Sequence, residues 1–176
     1  MTLAFTGHRP EFLPFTYGSD AYYQFEVALW NEIGAYVDAG YDTFYCGAAR
    51  GTDILCGEII LALKEGNAFN LKLICAIPFR EQARGWNRLW RAHYYELLRG
   101  ADKISQLCDS YRPDCYHIRN RYMVDHCDAL LAVYDGKGKG GTAYTINYAL
   151  QLGKEIRILN PLTMEVSTIP AAGPSH

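Results

Sequence analysis

The sequence predicts an α/β protein built on a doubly wound, mostly parallel sheet with helices on both faces. Two observations lead there. Short apolar runs alternate along the whole chain with segments whose apolar residues recur at helical spacing. Three of those runs are followed directly by polar, glycine-bearing loops: Thr6-Gly7-His8-Arg9-Pro10, Cys46-Gly47-Ala48-Ala49-Arg50-Gly51-Thr52-Asp53 and Asp135-Gly136-Lys137-Gly138-Lys139-Gly140-Gly141-Thr142. With right-handed crossovers, those loops open on one edge of the sheet, beyond the carboxyl ends of the strands.

Each element follows from its residues. Leu3 to Thr6 reads as a first strand. Tyr22, Phe25, Leu29, Ile33 and Val37 mark a helix stopped by Gly40. Thr43 to Cys46 is a second strand, and Ile54 to Leu63 a helix ending near Gly66. Leu71 to Ile77 is a third strand closed by Pro78. Gln82 to Leu98 is expected as one long helix carrying Trp86, Leu89, Trp90, Tyr94 and Leu97. Lys103 to Leu107 is a fourth strand. A polar loop through Tyr111-Arg112-Pro113-Asp114 leads to a helix from about Tyr116 to Cys127. Ala129 to Tyr134, Ala143 to Leu152 and Glu155 to Leu159 complete the pattern as strand, helix and strand. The length of 176 residues favours one domain, placed over residues 1–162, with 163–176 as a tail that is loose at its end.

Composition narrows the function classes. The hydrophobic share is 49% and the charged share 20%, ordinary for a soluble globular domain. The 17 basic and 19 acidic residues give a net charge of −2, which argues against bulk nucleic-acid binding while leaving room for a local basic patch. No apolar run has membrane-spanning length, and no basic segment with a long apolar core opens the chain. A cytoplasmic location is therefore expected, with the cysteines as free thiols. Cys108, Cys115, His117, His126 and Cys127 lack the paired C-x-x-C spacing of structural zinc sites, so no metal is expected.

Four groups of residues can carry chemistry. The stretch from Asp135 to Thr142 places glycines between a buried strand and a helix, so backbone N–H groups and the positive helix end face any anion. His8 and Arg9 leave the first strand directly. They form either a phosphate or carboxylate clamp or a solvated turn closed by Pro10. In the second loop, Thr52 fits an N-cap, and Asp53 complements the helix end without any ligand. Glu58 sits mid-helix among Ile54, Leu55, Leu61 and Ala62 with no local basic partner; it is either solvated or reaches into the crevice. Arg119 and Asn120, at a helix start, can hydrogen-bond a ligand, while Arg121 and Asp125 have the spacing of an i, i+4 surface pair. Trp86, Trp90 and Tyr94, interleaved with Arg84, Arg88 and Arg91, suggest a base-stacking platform, but their helical spacing favours a buried face.

Taken in order, Thr6-Gly7-His8-Arg9-Pro10, Gly47-Ala48-Ala49-Arg50-Gly51-Thr52-Asp53…Glu58, Arg119-Asn120…Met123-Val124-Asp125…Asp128 and Gly140-Gly141-Thr142…Thr145 resemble the YpsA-like family of bacterial proteins, within the SLOG superfamily of Rossmann-like domains. The resemblance implies a cytosolic binding or sensing protein for a nucleotide or ADP-ribose-like molecule, with no required cofactor, in a stress or cell-division setting. Its superfamily relatives include cytokinin-activating phosphoribohydrolases and the DNA-processing protein A. The phosphoribohydrolases carry P-G-G-x-G-T-x-x-E, and Thr145 here stands at the glutamate position. A threonine cannot replace that carboxylate in proton transfer.

The reading that follows puts ligand phosphates on Gly140, Gly141, Thr142 and the backbone of Gly7. Arg9 and Arg50 neutralise them, and Asp53 or Glu58 accepts from ribose hydroxyls. His8, Gly47, Gly51, Arg119, Asn120 and Thr145 complete the expected ligand-binding set. The competing reading is a hydrolase of N-glycosidic or phosphoester bonds with Glu58 or Asp125 as general base. A third is a nucleic-acid or protein-interaction module, which the balanced charge disfavours; a homo-oligomer or protein partner fits any of the three.

Overall fold

The computed structural model describes residues 1–66 and 70–173. Seven strands form one sheet: β1 (Thr2–Gly7), β2 (Thr43–Cys46), β3 (Lys72–Ile77), β4 (Lys103–Gln106), β5 (Ala129–Val133), β6 (Glu155–Leu159) and β7 (Val166–Ile169). Five helices connect them: α1 (Asp20–Asp38), α2 (Thr52–Glu65), α3 (Arg88–Gly100), α4 (Cys115–Asp125) and α5 (Gly141–Gln151). The spatial order is β4-β3-β2-β1-β5-β6-β7, and every pairing is parallel except β6 with β7. This is the α/β, Rossmann-like arrangement.

Strand alternation builds two cores. Leu3, Phe5, Phe44, Leu73 and Leu131 point to the face covered by α1, α2 and α3, where Phe25, Leu29, Ile33, Ile60 and Leu97 pack on them. Ala4, Tyr45, Ala76, Leu130 and Ala132 point to the other face, against Met123 and Val124 of α4 and Ile146 and Ala149 of α5. All six cysteines are buried and unpaired. No helix among the described residues is long and apolar enough to cross a membrane.

Chain progression reverses between β1 and β5. From β1 the chain steps outward through β2, β3 and β4, then α4 returns it to the opposite flank of β1. The two strands are in register to their last residues, Gly7 opposite Val133. His8-Arg9 and Tyr134-Asp135 therefore leave the sheet side by side, which opens a crevice at the reversal.

Three differences from the sequence expectation have physical causes. The helix expected from Gln82 begins at Arg88. Residues 78–87 form turns, and the Asn87 side chain accepts from the Trp90 N–H at 2.9 Å as the N-cap. Gln82 is buried and donates to the Ala48 carbonyl at 3.2 Å, which fixes the turn under the second loop. Thr52 is the first residue of α2, with Gly51 as N-cap; its hydroxyl donates to the His8 carbonyl at 3.0 Å. Within the stretch assigned to the tail, Val166–Ile169 pairs with β6 as an antiparallel edge strand. Its residues are mostly exposed and carry no apolar run, so periodicity gives no strand signal.

Asn87→Ala is expected to lower unfolding free energy by about 1 kcal/mol in urea denaturation, the usual loss for an asparagine N-cap. A helix starting at Gln82 would put Asn87 in its interior, where alanine stabilises instead.

Candidate functional site

A cavity of about 250 Å³ occupies the crevice between the ends of β1 and β5. Its floor and walls come from all three glycine-bearing loops and from the start of α4. Of the residues expected there, Gly7, His8, Arg9, Asp53, Arg119, Asn120, Gly140, Gly141 and Thr142 line it.

The floor is a buried ion pair. Arg119 is 5% exposed and Asp53 6%, and the Arg119 Nη1 lies 3.5 Å from the Asp53 carboxylate. The same nitrogen donates to the Gly47 carbonyl, while Nε donates to the Asn120 side-chain oxygen at 2.7 Å. Burial pushes the Asp53 carboxyl pKa up, and the Arg119 charge opposes that rise. One Asp53 oxygen also accepts from the Ala49 N–H at 3.4 Å; the other has no partner among the described residues.

One wall is the β1 exit. His8 Nε2 lies 3.1 Å from the Asp135 carboxylate, joining the β1 and β5 loops across the reversal. The Lys137 N–H donates to that carboxylate at 2.9 Å and holds its pKa below the usual range. Arg9 is exposed, lies 5.6 Å over the Tyr116 ring, and has no carboxylate partner among the described residues. The lining thus carries Arg9, Arg119 and Lys137 against Asp53 alone, a basic balance.

The opposite wall is the N-terminus of α5. Gly136 and Gly138 adopt φ of 79° and 93°, the left-handed region that requires glycine in this turn. Gly140 and Gly141 differ. Neither has a positive φ, a Cβ on Gly140 would meet nothing within 4 Å, and one on Gly141 would only touch the Asn120 side chain at 3.7 Å. No side chain caps this helix, although Gly140 has room for the serine, aspartate or asparagine that usually does so. The first backbone N–H groups of α5 therefore have neither an intrahelical nor a side-chain partner among the described residues.

Five expected residues do not line the cavity. Gly47 lies beneath it, where a Cβ would collide with the Arg119 guanidinium. Gly51 has φ of 89°, and a Cβ there would sit 2.8 Å from the His8 carbonyl. Both glycines serve packing. Arg50 pairs with Glu11 at 2.5 Å, with its guanidinium over the Trp86 ring. Glu58 faces α3 and bonds His93 at 2.5 Å; burial raises its pKa. Thr145 is fully buried, and its hydroxyl donates to the Gly141 carbonyl one turn back at 2.8 Å. Asp125, the other candidate base, accepts from the Tyr148 hydroxyl at 2.8 Å rather than from Arg121, away from the glycine-rich loop.

Phe12, Tyr116, Tyr134 and Lys137 line the cavity without having been expected there. Tyr134 and Lys137 stand in or beside the glycine-rich loop, a signal that was present. Phe12 and Tyr116 arrive from a 3-10 turn and the first turn of α4, which no spacing connects to the site. Among the described residues, no three His, Cys, Asp or Glu side chains are grouped as a metal site. Trp90 and Tyr94 are buried, and Trp86 packs against the same core.

A family model, YpsA (YspA SLOG family), matches residues 3–164. The chain belongs to the YpsA family of SLOG proteins. It is 35% identical over 132 residues to the uncharacterised SPbeta prophage-derived protein YoqJ of Bacillus subtilis strain 168, covering 67% of this chain and 76% of that protein. UPF0398 proteins of Bacillus thuringiensis strain Al Hakam and Bacillus cereus strain Q1 are each 28% identical over 129 residues, covering 72% of this chain and 70% of theirs. In this YpsA-family chain the matched span takes in every loop that lines the cavity.

The two kinds of glycine should separate in stability measurements. Gly47→Ala is expected to cost more than about 2 kcal/mol, because it displaces Arg119 from its buried partners. Gly141→Ala should change stability by less than about 0.5 kcal/mol. Urea denaturation of both variants checks this.

Proposed function

We propose that this YpsA-family protein is a cytoplasmic binding or sensing protein that holds a nucleotide or ADP-ribose-like molecule by its phosphate at the N-terminus of α5. The observation that carries this reading is the pair Gly140-Gly141. Nothing internal to the fold requires glycine there, and an uncapped helix end opens through them onto a basic cavity. Bare backbone at such a helix end admits a phosphate to hydrogen-bonding distance and offers it oriented N–H groups.

Other groups fall into place around that anchor. Arg9, with no carboxylate partner among the described residues, supplies a planar fork of donors to the phosphate. The unpartnered oxygen of Asp53 accepts from a ribose hydroxyl, as acidic residues do in dinucleotide sites. The cavity volume of about 250 Å³ lies just under the usual pocket range of about 300–1,000 Å³. A ribose phosphate fills it, and the remainder of the ligand lies at the rim against Phe12 and Tyr116. Binding is favoured over hydrolysis because Glu58, Asp125 and Thr145 do not line the cavity and each is engaged by another group. Stress or cell-division signalling is the setting we propose for such a receptor.

Calorimetric titration with AMP and ADP-ribose tests this. Arg9→Ala is expected to weaken binding about 10- to 100-fold, matching the 1.5–3 kcal/mol of a hydrogen bond to a charged group, with Arg9→Lys in between. Gly141→Val should abolish binding while the protein stays folded, since its β-branched side chain covers the helix end. No free base should be released from either nucleotide. Undiminished binding by Arg9→Ala and Gly141→Val, or robust base release by the parent, contradicts the proposal.

A further inference from the structure

The turn Pro10–Phe12 separates the cavity above from a second one of about 390 Å³. Phe12 lines the first, while Pro10 and Glu11 line the second. The second cavity has an aromatic wall made by Phe15, Tyr17, Tyr22 and Trp90, completed by Leu13 and Leu55. Its rings stand at steep angles. Tyr17 and Tyr22 have centroids 4.7 Å apart at 54°, Tyr17 and Trp90 5.9 Å apart at 69°, and Phe15 and Tyr22 6.1 Å apart at 74°. Rings so arranged form corners rather than a flat stack.

Two further carboxylates stand close to residues of this cavity. Glu58 lies one turn beyond Leu55 on α2 and bonds His93, whose other ring nitrogen is 3.4 Å from the Tyr17 hydroxyl. Glu26 lies one turn beyond Tyr22 on α1 and has no ion-pair partner among the described residues. Burial, followed by the Glu58 and Glu26 charges, pushes the Tyr17 pKa up. Burial, then Tyr17 and Glu26, does the same to Tyr22. The lining holds Glu11, which Arg50 pairs, and no lysine or arginine among the described residues.

An aromatic face attracts a cation through its quadrupole, and a nearby carboxylate adds to that attraction. We propose that this second cavity binds a small organic cation, an ammonium group carrying an apolar body, held against Tyr17, Tyr22 and Trp90 with Glu26 as the opposing charge. Its chemistry is the reverse of the first cavity, so the two sites select different molecules across one shared turn.

Choline, its neutral carbon isostere dimethylbutanol, and acetate are the probes, titrated into the full chain while the Tyr and Trp side-chain NMR resonances are followed. Choline is expected to give saturable shifts at Tyr17 and Trp90, with an affinity about 5-fold or more above that of the isostere, and acetate none. Tyr17 is 46% exposed, so Tyr17→Leu keeps the fold; it and Glu26→Gln should each weaken choline binding. Gly141→Val should leave choline binding unchanged, which separates this site from the phosphate site. Equal affinity for choline and its isostere, the absence of any saturable shift, or choline affinity indifferent to both Tyr17→Leu and Glu26→Gln would overturn the proposal.

Discussion

The guanidinium of Arg119 ties together parts of the chain that the sheet alone does not join. It comes from α4, on one face, and reaches the Gly47 carbonyl after β2 and the Asp53 carboxylate at the start of α2, which packs on the other face. A buried charge without partners costs several kcal/mol, so this geometry persists only while all of its partners are in place. Gly47 must be glycine to admit the guanidinium, Asp53 must stay close despite its raised pKa, and Asn120 must turn its oxygen to Nε. The pair thereby fixes the cavity floor, and it sets Asn120 beside Gly141.

On that floor the glycines divide by physical role. Gly47 and Gly51 are accounted for by crowding or by a positive φ; Gly7 is too, since a Cβ there would lie 2.5 Å from Thr52 Cγ2. Gly136 and Gly138 shape the turn after β5. Gly140 and Gly141 are subject to neither constraint, and the functional reading rests on that contrast rather than on the abundance of glycine in the loop.

Much of the fold is legible in the sequence because strands buried on both faces must be apolar throughout. All five residues of β5 are buried, and its run Ala-Leu-Leu-Ala-Val announces it. The start of α3 is hidden because Trp86 continues the helical spacing from within a turn, and β7 because an exposed edge strand needs no apolar residues. The site divides in the same way. Loops that leave adjacent strands can be placed at one edge by topology, so Arg9, Asp53 and Gly141 could be anticipated. Glu58 could not be settled, because its partner His93 stands 35 residues away on another helix, where no local spacing reaches. Arg50 and Thr145 fail for a related reason. Each bears the right group near the site, but Glu11 and the Gly141 carbonyl respectively engage it first.

Amide NMR during titration with AMP shows whether the backbone at the start of α5 receives a phosphate. A phosphate seated there gives saturable shifts of the Gly141, Thr142 and Ala143 N–H resonances, reproduced more weakly by inorganic phosphate and absent with adenosine. Shifts of equal size with adenosine, or amides of residues 141–143 that do not respond while AMP binds elsewhere, would contradict it.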